Sequence, residues 1–311
     1  MAISVSLLGC EHPHVSDVLG VIASEPDVRL AAVWSGDRSA VPGPVSGYAV
    51  QSPDTAIARA DAVIICAPTD ERPQLCIRAA RAGRPMLVEK PVARSAGEAR
   101  ALAREVARSR TPAYANLFLR QLPALARLRA VLRADVLGRV TAVGASYLTP
   151  TALNGAGTAG ASGWMQDARR AGGGGIVDLG IPLVDALTAL GARPRLDALR
   201  LDRRRGDRTD AGGAAVGTWG DVPLSLRVSW AVRPGGLEVV VNGAGGTAVL
   251  RDGALELSGD LGAPERWIGA PPDPAEAVRA FFARLRSRRL AANGLEDAIR
   301  AHEVIERAAA L

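Results

Sequence analysis

The first 119 residues alternate short apolar runs with amphipathic stretches at helical spacing, and this alternation constrains the fold more than any other feature of the chain. Ile3 to Leu8 is a largely apolar run that meets Gly9, after which Val15, Val18, Leu19 and Ile22 recur at i, i+3, i+4 and i+7. That pattern predicts a buried strand, a tight turn and a helix ending before Pro26. Val28 to Trp34 reads as a second strand, stopped by Ser35-Gly36-Asp37. A Pro/Gly-rich loop over 42–47 precedes Ala62-Val63-Ile64-Ile65-Cys66-Ala67, a continuous apolar run of the kind buried on both faces of a parallel sheet. Pro73 opens a helix with Cys76, Ala79 and Ala80 inward, and Gly83 closes it. Met86 to Val88 is the next strand, Ser95 and Glu98 form a capping box for a helix to about Arg108, and Pro112 to Leu117 is one more strand. Residues 1–119 therefore read as an α/β domain with an open, doubly wound parallel sheet.

Such sheets bind ligands beyond the carboxyl ends of their strands, where Gly9, Ser35, Ala67-Pro68-Thr69 and Glu89-Lys90 all fall. Lys90 is the one lysine among 38 basic residues. Arginine stays protonated, whereas a lysine amine can give up its proton when buried, so a lone lysine at a strand end is a candidate for proton chemistry. The loop after the first strand is less regular. A dinucleotide fingerprint wants three glycines in G-x-G-x-x-G, and here those positions read Gly9-Cys10-Glu11-His12-Pro13-His14. Only the first glycine is kept, and Glu11 puts a carboxylate where a phosphate needs room. The following helix N-terminus still offers amides and a positive dipole end, with His12 and His14 able to offset the Glu11 charge. After the second strand, Ser35-Gly36-Asp37-Arg38 offers a hydroxyl and a cation where NAD sites place an acid, which favours NADP(H), with Asp37 as the counter-argument. His12-x-His14 lacks a third ligand at recognisable spacing, so no metal is expected.

From Arg120 the pattern changes. Pro123 starts a helix with Leu125, Leu128 and Leu132 inward, and Val140 to Leu148 is a strand. Asn154 to Gly163 is rich in small residues and reads as a mobile loop leading to Trp164. Gly172 to Gly175 permit close backbone approach to a ligand or another chain, and Pro182 suits the first turn of the helix behind them. Leu183, Leu187 and Leu190 form its buried stripe, with Asp178 and Asp185 on roughly one side. Runs at 196–201, 214–219, 224–232, 237–241 and 247–250 predict a large, mostly antiparallel sheet. Asp273 and Glu276 are expected to cap two closing helices, lined by Val278, Phe281, Phe282 and Leu285 and then by Leu295, Ile299 and Ile305; His302 sits on that stripe as a core or interface residue. Residues 120–311 thus read as an α+β domain for substrate binding and oligomerisation, with the closing helices free to pack back on the first. The open face of its sheet calls for a homodimer or homotetramer.

A pI near 10 raises the possibility of a nucleic-acid partner. The arginines, however, are scattered among Asp, Glu and Ala, with short runs only at 203–205 and 284–289, so no nucleic acid is expected. Cys10, Cys66 and Cys76 are too few and too irregular for a disulfide framework and read as small buried hydrophobes in a reducing cytoplasm. No apolar run is long enough to span a bilayer, so a soluble, cytoplasmic protein is expected.

Glu89-Lys90-Pro91 at a strand end, with Gly173-Gly174 through Asp178 and Gly180 ahead of a helix in a mixed second domain, resembles the Gfo/Idh/MocA oxidoreductase family. The resemblance covers nearly the whole chain. It implies a Rossmann-like first domain that binds NADP(H) or NAD(H), and hydride transfer between nicotinamide and a sugar-like or other small carbonyl or hydroxyl substrate. In that pattern Lys90 matches the family lysine and Asp178 the motif aspartate, while Pro182 stands where a proton-handling histidine is usual. Lys90 would then be the main proton donor or acceptor, beside Asp178. Cofactor contacts would come from Gly9, Cys10, Glu11, His12, His14, Ser35, Gly36, Arg38, Ala67, Pro68, Thr69, Glu89 and Lys90. Trp164 would wall the nicotinamide or simply pack in the core. Glu11 and Pro182 also suit a member without redox activity that senses a ligand or binds a partner; a lyase or isomerase using Lys90 and Asp178 is a further alternative.

Overall fold

A computed structural model of the chain describes residues 2–154, 160–203, 208–260, 265–288, 290 and 294–310. Residues 155–159 of the expected mobile loop, and 204, 205 and 289 of the two arginine runs, lie outside it. The chain forms two compact units, Met1–Asn116 with Gly155–Gly173 and Pro274–Ile299, and Leu117–Asn154 with Gly174–Asp273 and Arg300–Leu311.

The first stretch alternates as its pattern predicts: β1 (Ile3–Leu8), α1 (Val15–Ser24), β2 (Val28–Trp34), α2 (Pro53–Ala58), β3 (Ala62–Ile65), α3 (Arg72–Arg81), β4 (Met86–Val88), α4 (Ala96–Ser109) and β5 (Ala113–Ala115). The strands are all parallel in the order β2-β1-β3-β4-β5, so strand order reverses between β1 and β3. Every residue of β3 is buried, as its unbroken apolar run requires. Helix α2 has no counterpart in the sequence reading; Ser52 accepts from the Thr55 amide and Pro53 fills the first turn, which suffices for six residues. At α4, Ser95 accepts from the Glu98 amide as expected, but the Glu98 carboxylate answers to the Arg94 amide and guanidinium rather than to Ser95.

The chain continues through α5 (Pro123–Arg133), β6 (Val140–Leu148), α6 (Ala168–Ala171), α7 (Gly175–Ala189), β7 (Pro194–Asp202), β8 (Gly212–Trp219), β9 (Val222–Ser229), β10 (Gly236–Gly243), β11 (Gly246–Arg251), β12 (Ala254–Gly259), β13 (Glu265–Ile268), α8 (Ala275–Ser287) and α9 (Glu296–Ala309). Strands β6 to β13 form one sheet in the order β13-β12-β11-β10-β6-β9-β8-β7, antiparallel except where β6 meets β9. One face is apolar, with Leu224, Leu226, Val239, Val241, Ala248 and Leu250 all buried. Helix α7 packs against β6, β8 and β9. Helix α8 packs on α1, and its Phe281 and Phe282 join Val18, Ile22, Leu7 and Ile64 in one core. Each such aromatic stabilises the unit by roughly 1.5–3 kcal/mol on burial.

One local expectation is corrected. Pro182 lies inside α7, as its eighth residue, rather than in its first turn. The helix begins earlier because the Asp210 carboxylate accepts from the Gly174 and Ile176 amides, capping it from 34 positions away. The glycines serve this junction, since a Cβ on Gly174 would stand 2.1 Å from the Asp210 carbonyl oxygen. At α8 the N-cap position is taken by Pro274, whose ring has no acceptor to cap with, and Glu276 lies in the first turn. No helix of the described residues is long and apolar enough to cross a membrane.

Candidate active site

The parallel sheet brings most of the expected residues together at the carboxyl ends of β1, β3 and β4. Gly9 follows β1 with φ +87°, and a Cβ there would meet Ala67, just past β3, at 2.2 Å. Only glycine permits that approach, at the point where strand order reverses and such sheets open a ligand crevice. Beyond β3, Ala67, Pro68 and Thr69 are buried, and the Thr69 hydroxyl has no hydrogen-bond partner among the described residues. Beyond β4, Glu89 and Lys90 are 2% and 4% exposed.

The backbone around Lys90 is held by a residue outside the sequence prediction. Arg72, wholly buried, donates from Nε to the Ala67 carbonyl at 2.8 Å and from a terminal nitrogen to the Pro91 carbonyl at 2.6 Å and the Glu89 carbonyl at 3.3 Å. Its fork therefore ties the end of β3 to both sides of Lys90. The guanidinium also lies 5.4 Å from the Trp164 ring centre. Among 37 arginines nothing local marks this one; its role exists only once β3 and β4 are neighbours.

Glu89 collects donors. Its Oε1 accepts from the Asn116 amide nitrogen at 2.6 Å and lies 3.1 Å from His14 Nδ1, while His12 Nε2 stands 3.9 Å from Oε2. Burial alone would raise the Glu89 pKa, but the histidines and Lys90 around it outweigh that and hold it well below the usual carboxylate range. Burial holds the His12 pKa well below its ordinary value. His12 Nδ1 accepts from the His14 backbone N–H at 3.2 Å, which leaves the ring proton on Nε2. Asn116, at the end of β5, is fixed by giving its NH2 group to Glu89, so its buried Oδ1 has no partner among the described residues.

Glu89 thus stands as the third donor group that the His12-x-His14 spacing lacked, with ligating atoms of the three residues within 4.8 Å of one another. The geometry nevertheless disfavours a metal. His12 would have to ligate through Nε2, which carries the proton, while Nδ1 already accepts.

The loop after β1 is closed by its own side chains. Glu11, 4% exposed, accepts through Oε2 from the Cys10 amide at 2.8 Å, and through Oε1 from the Ser35 hydroxyl at 2.7 Å and the Asp37 amide at 3.1 Å. Ser35 also lies 3.1 Å from the Cys10 amide. The Trp164 indole N–H and the Ser162 hydroxyl donate to the Glu11 carbonyl at 3.2 and 3.3 Å, so Trp164 packs in this unit over the loop. Gly36 faces Glu71, whose carboxylate pairs with Arg170, as does that of Asp70. Arg38 is exposed and donates to the Gln51 side chain at 2.9 Å. Burial pushes the Cys10 and Cys76 thiols up to about 12 and raises that of Cys66, so all three are inert apolar fillers, as expected.

In the second unit, the Trp230 indole donates to the Asp178 carboxylate at 2.9 Å. Burial, and then Asp178, raise the pKa of Tyr147 on β6. Asp185, on the same helix, is buried in an ion pair with Arg120 and serves the packing of α7.

A doubly wound parallel sheet with a buried lysine at a strand end, and a second unit built on one broad sheet, define a Rossmann-like α/β architecture of the kind that binds dinucleotides. The family description "Oxidoreductase family, NAD-binding Rossmann fold" matches residues 10–116, and "GFO/IDH/MocA C-terminal domain" matches residues 125–249. The chain belongs to the Gfo/Idh/MocA oxidoreductase family. No curated protein sequence matches it. Solved structures with the same fold include KijD10, a 3-ketoreductase from Actinomadura kijaniata in complex with NADP and TDP-benzene, at 20% identity and TM-score 0.84, covering 100% of this chain and 98% of that one. GenD2 from gentamicin A biosynthesis, in complex with NAD, is 21% identical with TM-score 0.79, covering 99% and 94%. Levoglucosan dehydrogenase, in complex with NADH and levoglucosan, is 16% identical with TM-score 0.81, covering 100% and 98%.

Proposed function

We propose that the protein is an NAD(P)-dependent oxidoreductase that moves hydride between a nicotinamide and a sugar-like or other small carbonyl or hydroxyl compound, with Lys90 as the proton donor or acceptor. The observation that carries the reading is the buried Lys90 at the carboxyl end of β4, its backbone held on both sides by Arg72. The residues fit a dinucleotide along the strand ends. Gly9 keeps the reversal point bare, and the unpartnered Thr69 hydroxyl and Asn116 amide oxygen offer buried polar atoms to a ligand there. The fit is poorer at the phosphate loop, where Glu11 and His12 side chains take the Cys10 and His14 amides.

Bound nicotinamide would supply or accept the hydride. In the reducing direction the Lys90 ammonium polarises the substrate carbonyl and gives it a proton; in the oxidising direction the neutral amine accepts the hydroxyl proton. Asp178, oriented by Trp230, supplies the second proton-handling group, because Pro182 cannot. Sugar-processing neighbours support a sugar-like substrate, and one from antibiotic biosynthesis suits secondary metabolism. The one-sided sheet supports a homodimer or homotetramer, and three free buried cysteines suit a cytoplasmic protein.

The test is Lys90→Ala. Its thermal midpoint should stay within a few degrees of the parent, and turnover, followed by nicotinamide absorbance on a panel of keto sugars and polyols, should fall by at least about 100-fold. Full activity in a folded variant sinks the reading. The occupied loop amides favour a second reading, a ligand-sensing member without redox activity. A folded protein whose midpoint moves with neither NADH nor NADPH would select it.

A further inference from the structure

We infer that the Glu11 carboxylate, and not an acid on β2, is the acceptor for the adenosine ribose hydroxyls and makes the site select NADH over NADPH; this rests on the nicotinamide-dependent reading above. In doubly wound dinucleotide domains an acid at the end of the second strand accepts from the ribose 2′-hydroxyl, and its charge repels a 2′-phosphate. Here that position is Ser35, which is short and uncharged. Neither charged neighbour replaces it. Asp37 turns its carboxylate back on its own loop, accepting from the Ser39 amide at 2.9 Å and the Ser39 hydroxyl at 2.6 Å. Arg38, the cation that would suit a 2′-phosphate, is engaged with Gln51 on the exposed side.

Glu11 comes to the same place from the other side. It departs from the loop after β1, where a glycine would leave room for pyrophosphate, and crosses to the end of β2, where Ser35 and the Asp37 amide hold Oε1. The Cys10 amide holds Oε2. A carboxylate offers about four acceptor positions, and these three donors leave one on Oε2. A neutral hydroxyl can donate to it, whereas a phosphate brings two further charges to a buried acid. A second acid strengthens the bias: Glu71 Oε2 lies 3.0 Å from where a Cβ on Gly36 would stand. Burial and then the Glu11 charge raise its pKa, as expected for acids crowded in one corner. A cation on that side, Arg170, is already shared between Asp70 and Glu71.

Glu11 thus stands in place of the second glycine of the fingerprint and is the source of the acid that β2 lacks. The test is a titration of the full-length protein with NADH and with NADPH, read by nucleotide fluorescence at low salt, for the parent, Glu11→Gln and Ser35→Ala, each checked for an intact thermal transition. The parent should bind NADH at least about tenfold more tightly than NADPH. Glu11→Gln should close most of that gap, chiefly by tightening NADPH. Ser35→Ala, which removes one anchor of the carboxylate but keeps the charge, should close it only in part, and it carries the test if Glu11→Gln does not fold. Equal or tighter binding of NADPH by the parent, or an unchanged ratio in folded Glu11→Gln, overturns the inference while the oxidoreductase reading stands. Binding of neither nucleotide by the folded parent removes that reading, and the inference with it.

Discussion

Arg72 shows how much of the site depends on one buried cation. Its fork meets three backbone carbonyls, of Ala67, Glu89 and Pro91, and lysine cannot reproduce that planar geometry. In Arg72→Lys at least one buried carbonyl loses its donor, and we expect a loss of about 2–3 kcal/mol in urea unfolding. As a positioning residue it should also lower kcat more than it raises KM, because Lys90 would be misplaced while the rest of the site remains. His12 makes a prediction of a different kind. Its folded-state pKa is depressed below the ordinary 6.5, chiefly by burial. Below pH 6.5 the unfolded chain therefore binds a proton that the folded one refuses. Its contribution to stability is intact above that pH and declines as pH falls from 6.5 toward the lower folded value, by up to about 1.4 kcal/mol per pH unit. Urea midpoints at pH 7 and pH 5 should differ less in His12→Asn than in the parent. Equal differences in the two proteins would show that His12 is not held neutral.

At the scale of the element, α7 is the instructive case. It carries Asp178 and Asp185, has Pro182 in its interior, and starts at glycines that its own sequence cannot cap. A proline there removes an amide that would bond to the Asp178 carbonyl, so the helix depends on what surrounds it. The Asp210 carboxylate supplies the missing cap, and the Arg120 pair with Asp185 fixes the far half. Asp210→Ala should destabilise the protein by about 1–2 kcal/mol, seen as a lower thermal midpoint, and should reduce turnover through Asp178. Unchanged stability would mean that water replaces the carboxylate. The pattern of apolar residues revealed that a helix follows the glycines. It could not reveal where the helix starts, because the capping group lies 34 residues beyond the amide it serves.

For the molecule as a whole, the one-sided sheet sets the expectation. Its outer face presents Ala214, Val216, Ser225 and Val240 in a shallow groove, and Val216 is 56% exposed. Sedimentation should report a dimer or tetramer, and Val216→Asp should shift it toward monomer; a parent that is monomeric at micromolar concentration would exclude assembly through this face. Much of the architecture was legible in the chain because the forces behind it are local and repetitive. Short apolar runs alternating with period-3.6 stretches marked β1 to β5, strand-like runs between turns marked most of the second sheet, and strand-end position marked Gly9, Thr69 and Lys90. The short α2, and β12 and β13 at the end of their sheet, escaped because their patterns are brief. What only tertiary structure decided is which donors meet which acceptors. Ser35-Gly36-Asp37-Arg38 read alone points toward NADP(H), and the bond from Ser35 to Glu11, which brings a charge from the loop after β1 to the end of β2, is the basis of the inferred preference for NADH. Arg72, Asn116, Trp230 and Asp210 likewise act on residues distant in the chain. Periodicity records how a segment meets water; the partner of a buried polar group is recorded nowhere but in the fold.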